Sequence, residues 1–312
     1  MNTNSDKNTL LAHEVKELMK EKPDTILIDL LPPDHYAKIH LPDAQNACVY
    51  MVSFLDDIAG IVPDKGAKVV VYGSSSQSLD AKVALDKLDR GGYQNVSYLD
   101  GGIAAWRAAG YIMEGVGPDQ PDDPQTRLCI EDGVYIVDTV ASRIIWAGRN
   151  RNTRHHGTVN IASGRFKVEA GVVSGSFEMD MNSIHNVNLE GDELHPVLEK
   201  HLKSDDFFFV KVFPKAVFTI KEGKSADPAW LTLPNYSIKG ELNLRGVSSA
   251  LDFEATVNKT DLNCLLIESH FDIDRTQWKV IYGSTRFFEH LGMHMVFDLI
   301  SIQINLVVDK QS

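Results

Sequence analysis

A polar loop follows the apolar run at residues 68–72 (KVVVY): Gly73, Ser74, Ser75, Ser76, then Gln77, Ser78, Leu79 and Asp80. Loops at the carboxyl ends of buried strands are where α/β proteins place nucleophiles and anion sites. The groups on offer here are hydroxyls. A serine attacks only with a base in hydrogen-bond reach, and the sequence assigns neither histidine nor lysine to that place. The loop is therefore expected to serve shape rather than chemistry. The histidines form a second set. His155 and His156 are adjacent at a strand entry, so their rings should face opposite ways. His290 and His294 are four apart, which on a helix would put them on one face, and His201 stands alone. Zinc could draw on such residues, but scattered, individually satisfied histidines are the expectation, and no metal is assigned. Asp272-Ile-Asp-Arg275, with Trp278 and Tyr282 nearby, reads as a charged turn; a polar rim at a barrel mouth is the alternative. Cys48, Cys129 and Cys264 are odd in number and in no CxxC spacing, and are read as buried free thiols in a reducing compartment.

Two kinds of element must position these residues. Up to residue 116 short apolar runs alternate with helical patterns: 25–29 and 67–72 read as buried parallel strands, and 10–20, 34–38, 78–90 and 102–109 as helices. That order predicts an α/β domain with a parallel sheet. Residues 116–128 (VGPDQPDDPQTRL) have linker composition, giving domains at 1–116 and 129–312 with 117–128 between them. Beyond the linker the period is two. In 236–245 Tyr236, Ile238, Leu242 and Leu244 alternate with Ser237, Lys239, Glu241, Asn243 and Arg245, and 251–258 and 300–306 alternate as cleanly. With further candidates at 134–138, 142–148, 157–162, 165–169, 173–181, 215–221 and 264–273, eight to ten antiparallel strands predict a closed barrel or a sandwich. One helix is expected at 195–203, before Phe207, Phe208 and Phe209.

The formal net charge of −12 splits into −8 over residues 1–124 and −4 over the remainder. Neither part has the basic excess needed to neutralise phosphates along a duplex, so no nucleic-acid partner is expected. No stretch approaches the about 20 apolar residues of a membrane span, so no stable membrane insertion is expected. The first twenty residues are polar and lack a signal-peptide core, which points to the cytoplasm.

Residues 26–47 (ILIDLLPPDHYAKIHLPDAQNA) and 92–111 (GYQNVSYLDGGIAAWRAAGY) resemble the rhodanese family over about residues 8–116. That resemblance implies a doubly wound domain with a persulfide-forming cysteine directly after the central strand, on a loop whose amides stabilise the anion. Gly73 stands at that position, and the loop carries no Arg or Lys. Leu31 stands where the family usually has Arg, and Ile39 where it has Gly, so Asp29 is expected to have lost its ion partner. The domain is read as non-enzymatic, docking a protein partner or a second copy of the chain.

Residues 201–220 (HLKSDDFFFVKVFPKAVFTI), with 134–149 and 238–255 in the same order, resemble the YceI-like family over about residues 133–308. This implies a lipocalin-like antiparallel barrel around a long isoprenoid or similar lipid. Phe209 departs from the family's usual Asp. With the dry face inward, Ile144, Trp146, Phe218, Ile220, Ile238, Leu242, Phe253, Ile302 and Ile304 would line the ligand. Periodicity does not separate a hollow barrel from a filled one. The expected function is lipid or isoprenoid binding without catalysis, and no cofactor other than that ligand. The competing readings are a sulfurtransferase or phosphatase using the N-terminal loop, and a structural protein with a filled barrel.

Overall fold

The alternation over the first 110 residues builds a five-stranded parallel sheet. The computed structural model describes residues 8–119, 126–260 and 264–311, so residues 120–125 of the expected linker lie outside the described residues. The chain divides into two units, Met1–Asp123 and Pro124–Ser312. In the first, β1 (Thr9–Leu10), α1 (Ala12–Glu21), β2 (Ile26–Asp29), α2 (Pro33–Lys38), β3 (Gln45–Asn46), α3 (Phe54–Ile61), β4 (Val69–Tyr72), α4 (Asp80–Arg90), β5 (Val96–Leu99) and α5 (Gly102–Ala108) follow in order. The sheet order is β1-β5-β4-β2-β3, all parallel. β4 is central and buried throughout, as an uninterrupted apolar run requires. Apolar clusters cover both faces of the sheet. Helix α3 carries no periodic signal in the sequence: it buries only Phe54 and Ile58, one turn apart, too short a stripe to register as a period.

In the second unit the elements are β6 (Gly133–Val137), β7 (Arg143–Arg149), β8 (Arg154–Glu169), β9 (Val172–Asn186), α6 (His195–Lys203), β10 (Lys215–Ser225), β11 (Tyr236–Leu244), β12 (Val247–Lys259), β13 (Cys264–Asp274) and β14 (Leu299–Lys310). Each neighbouring pair is antiparallel, and β13–β14 pairing closes the ring. β6 and β7 both lie between β8 and β14, end to end, so they act as one stave broken at residues 138–142 and the barrel has eight. Inward and outward residues alternate: in β11 Tyr236, Ile238, Leu242 and Leu244 are buried while Lys239 is exposed. The expected strands 157–162 and 165–169 are one strand, β8, carried across Ser163 and Gly164 by pairing with Glu178 and Phe177 of β9. Besides α6, three-residue-per-turn segments occur at Arg275–Trp278 and Gly292–His294. The second contains only one of the two histidines read as a helical pair, so His290 and His294 share no helix face. Cys48 is buried, but Cys129 is exposed and Cys264 half-exposed, its Sγ donating to Asp309 at 2.9 Å; the expectation of three buried thiols is corrected.

Candidate functional site

The barrel is hollow toward one end. A cavity of about 450 Å³ lies inside β7–β14, and a separate void of about 60 Å³ lies toward the other end. Phe177, Phe218, Phe253 and Ile304 touch both. The rings of Phe177, Phe218 and Phe253 stand 5.6 and 5.3 Å apart and form the floor between them. Phe271 stacks on Phe253 at 4.5 Å. Of the nine residues assigned to the lining, Ile144, Trp146, Phe218, Leu242, Phe253, Ile302 and Ile304 border the larger cavity. Ile220 and Ile238 do not; they border the small void beneath the floor. Depth along the stave puts them in the packed end.

The mouth is built from residues that no periodicity marks. His155, His201, Tyr282 and His294 border it, with Met293 and Phe297. Tyr282 holds this edge together: its hydroxyl lies 3.1 Å from Nδ1 of His294, and its ring packs on those of His201 and Phe207 at 4.7 and 5.2 Å. Arg275 is 1% exposed and donates to three carbonyls, Val280 (2.6 Å), Phe297 (3.0 Å) and Val296 (3.0 Å). It thereby pins the β13–β14 connection across the mouth. Asp274 accepts from the Thr276 amide at 3.0 Å and caps the short helical segment Arg275–Trp278. Asp272, Ile273 and Asp274 themselves end strand β13, paired with β14, so the expectation of a charged turn is corrected, and Arg275 faces inward. Phe209 adopts a left-handed backbone (φ 46°) against Phe213 and is not part of the cavity wall.

The proposed histidine set does not converge: His155, His201 and His294 are at the mouth, while His156 and His290 are elsewhere. The grouping that exists among the described residues is His185, His195 and Glu199. Both ring nitrogens of His185 and Nε2 of His195 are already engaged. His185 contacts Glu199 at 2.9 Å and Glu190 at 2.6 Å, and His195 Nε2 contacts the Asn186 carbonyl at 2.8 Å. Hydrogen bonding to Glu190, with Glu199 also contributing, raises the His185 pKa. These contacts tie α6 to β9.

In the first unit the loop after β4 is occupied by a side chain of the protein itself. Asp80, at the start of α4, is buried and turns its carboxylate back into the loop. Its Oδ2 accepts from the Ser74 amide at 3.0 Å and the Ser74 hydroxyl at 3.1 Å, and its Oδ1 accepts from the Tyr50 hydroxyl. Burial pushes the Asp80 pKa up, but hydrogen bonds from Ser78, Tyr50 and Ser74 outweigh it and hold the group ionised. Burial and the Asp80 hydrogen bond together raise Tyr50. Behind the loop, Ile103 and Ala104 donate to the carbonyls of Gly73 (2.9 Å) and Ser74 (3.0 Å). A Cβ on Gly102 would lie 2.1 Å from the Gly73 carbonyl oxygen, so this close approach needs glycine. Ser75 and Ser76 take no part in the Asp80 contacts. Asp29 is fully buried. It accepts from the Leu31 amide at 2.8 Å, and burial raises its pKa; Leu31 and Ile39 are core residues beside it.

Residues 135–308, more than half of the chain, match the family model of the YceI-like domain. The chain belongs to the YceI-like family. Its first unit matches the Rhodanese-like domain over residues 11–109. No curated protein matches. Among solved structures the YceI-like domain is similar to BcnA of Burkholderia cenocepacia, with 19% identity over 55% of this chain and 98% of that one, and a TM-score of 0.43. It is also similar to a polyisoprenoid binding domain from Saccharophagus degradans, with 14% identity over 57% and 98% and a TM-score of 0.40. The rhodanese-like domain is similar to that of the Anabaena Alr3790 protein, with 26% identity over 40% and 94% and a TM-score of 0.32.

Proposed function

We propose that the YceI-like barrel binds a long, slender apolar molecule, an isoprenoid or other long-chain lipid. On this reading the rhodanese-like domain is a non-catalytic docking or dimerisation module, and the protein works in the cytoplasm. The observation that carries the first part is the cavity of about 450 Å³, walled by Ile, Leu, Met and Phe and floored by three phenylalanines. Burying roughly 330 Å² of apolar ligand surface corresponds to micromolar binding before ordering costs. Non-catalysis is supported by Gly73 in place of a thiol and by the Asp80 carboxylate lodged beside it, which repels a thiolate, a persulfide or a phosphate. Mass spectrometry of the native protein followed by organic extraction tests the lipid reading. One long apolar molecule is expected to copurify or to be taken up from a lipid extract. A barrel that takes up nothing would return the domain to a purely structural role.

A further inference from the structure

The YceI-like domain surrounds its cavity mouth with large apolar side chains that its own core does not use. Phe287, Phe288, Met293 and Phe297 are 50, 44, 84 and 46% exposed. They belong to one connection, β13 to β14, whose course is fixed. Val296 donates to the Gly283 carbonyl at 2.9 Å, Phe287 and Phe288 both donate to Ser284 at 3.1 Å, and Arg275 holds Val296 and Phe297 from inside. The aromatic side chains are therefore presented on a braced edge. The same edge carries cations. Phe297 donates to the Arg149 carbonyl at 2.9 Å and Val296 bridges Asn150, which places the β7–β8 turn beside the connection. Residues 149–156 (RNRNTRHH) hold three arginines and no carboxylate in a chain of net charge −12. Arg151 and Arg154 are exposed and form no ion pair among the described residues. Arg286 differs, being paired with Asp274 at 2.9 Å and Asp298 at 3.4 Å, and Glu289 adds one exposed carboxylate.

We infer that this edge docks on the surface of an anionic lipid bilayer, so that ligand passes between membrane and cavity without crossing water. The inference rests on the lipid-binding reading and adds the partner. A long apolar ligand has a negligible concentration in water, so its source is a lipid phase, and the mouth must approach that phase. Phenylalanine and methionine at the mouth suit the boundary between headgroups and acyl chains. Arg151 and Arg154 can each engage headgroup phosphates. The contact is peripheral. No helix of the described residues is long and apolar enough to cross a membrane, and outward positions of the barrel wall include Lys239, Asp252 and Glu254, which would not face hydrocarbon.

The test uses the delipidated full chain and vesicle flotation, with phosphatidylcholine alone or mixed with phosphatidylglycerol. The wild type is expected to float with the mixed vesicles and less with the neutral ones, the difference disappearing at about 1 M salt, where charge is screened within about 3 Å. The double variant F287S/F288S, altered at exposed positions outside the cavity wall, should bind both vesicle types at least about tenfold more weakly. R151Q/R154Q should lose only the preference for anionic lipid. Both should take up a soluble fatty-acyl fluorophore as the wild type does, which also shows that they fold. Wild-type protein that stays at the bottom of the gradient, or phenylalanine variants that float like the wild type, would overturn the docking surface. So would concentration-dependent dimerisation abolished by F287S/F288S without vesicle binding, since the edge would then face a second copy. Failure of the wild type to take up the fluorophore would instead strike the lipid-binding reading itself.

Discussion

A β-carbon added at Gly73 would lie 2.5 Å from both Cβ and Oδ2 of Asp80, closer than such atoms approach in folded proteins. The position is thus closed by shape as well as by charge. Gly73→Cys is expected to destabilise the rhodanese-like domain by about 1–3 kcal/mol. Its thiol should titrate above the usual value of about 8.5, because the neighbouring carboxylate opposes the thiolate. Alkylation rates against pH measure this directly, and transfer of sulfur from thiosulfate to cyanide should remain at background. Asp29 gives the complementary case of a fully buried carboxyl. Burial raises its folded pKa above the usual aspartate value. The folded state thus binds this proton more tightly than the unfolded state. The group's favourable contribution is complete below the unfolded pKa and disappears as pH rises through the folded one. Ionising this buried carboxyl therefore costs stability. Asp29→Asn, which keeps an acceptor for the Leu31 amide, should raise stability by about 1 kcal/mol at pH 7 in denaturant titrations, with the gain vanishing below about pH 4.

At the level of strands, the two ends of the barrel make different demands on residues that look alike in sequence. Ile238 and Ile302 both sit at dry positions of alternating strands, and alternation reports only which face is dry. Depth along the stave decides the rest: Ile302 borders the open cavity, Ile238 the small void beneath the phenylalanine floor. A lysine at 302 can reach toward water through the mouth, so Ile302→Lys should lose lipid uptake while costing no more than about 2 kcal/mol of stability. An aspartate at 238 has neither water nor partner, so Ile238→Asp should unfold the domain, at a cost above about 4 kcal/mol. Circular dichroism melts beside fluorophore uptake separate the two outcomes. The same physics explains what the sequence could and could not disclose. Clean alternation in 236–245, 251–258 and 300–306 marked β11, β12 and β14, because one face of each is dry along its length. The run Ala162-Ser163-Gly164 interrupts the pattern without ending β8, since backbone pairing with β9 continues where side chains carry no signal. The mouth was hidden for a related reason. Tyr282, His294 and Phe297 lie on an irregular connection whose position is set by one buried arginine, and no spacing rule registers that. Asp80, too, carries only the signal of a helix start in sequence, since the turn of its carboxylate into the loop depends on the Ser74 and Tyr50 contacts.

Across the whole chain, the boundary between the two units at residues 123 and 124 separates one core built around a parallel sheet from one wrapped around a cavity. Their stabilities should respond differently to ligand. A molecule that binds the folded barrel and not the unfolded chain stabilises it by RT ln(1 + [L]/Kd), about 2.7 kcal/mol at 100 times the dissociation constant. The cavity lies within the barrel, so the unfolding of the rhodanese-like domain should be unaffected. Calorimetry of the full chain is therefore expected to show two transitions. Delipidation should lower one of them, and re-addition of the extracted lipid should restore it. For a barrel of this size the shift should be on the order of 5 °C. The transitions can be assigned with Ile302→Lys, which should remove the ligand-dependent shift and leave the other transition in place. If both transitions moved together with ligand, the two units would be coupled in folding, and the rhodanese-like domain would be part of the ligand response rather than an independent docking module. If neither moved at saturating lipid, the cavity would not be a binding site, because occupancy without differential affinity for the folded state cannot occur there.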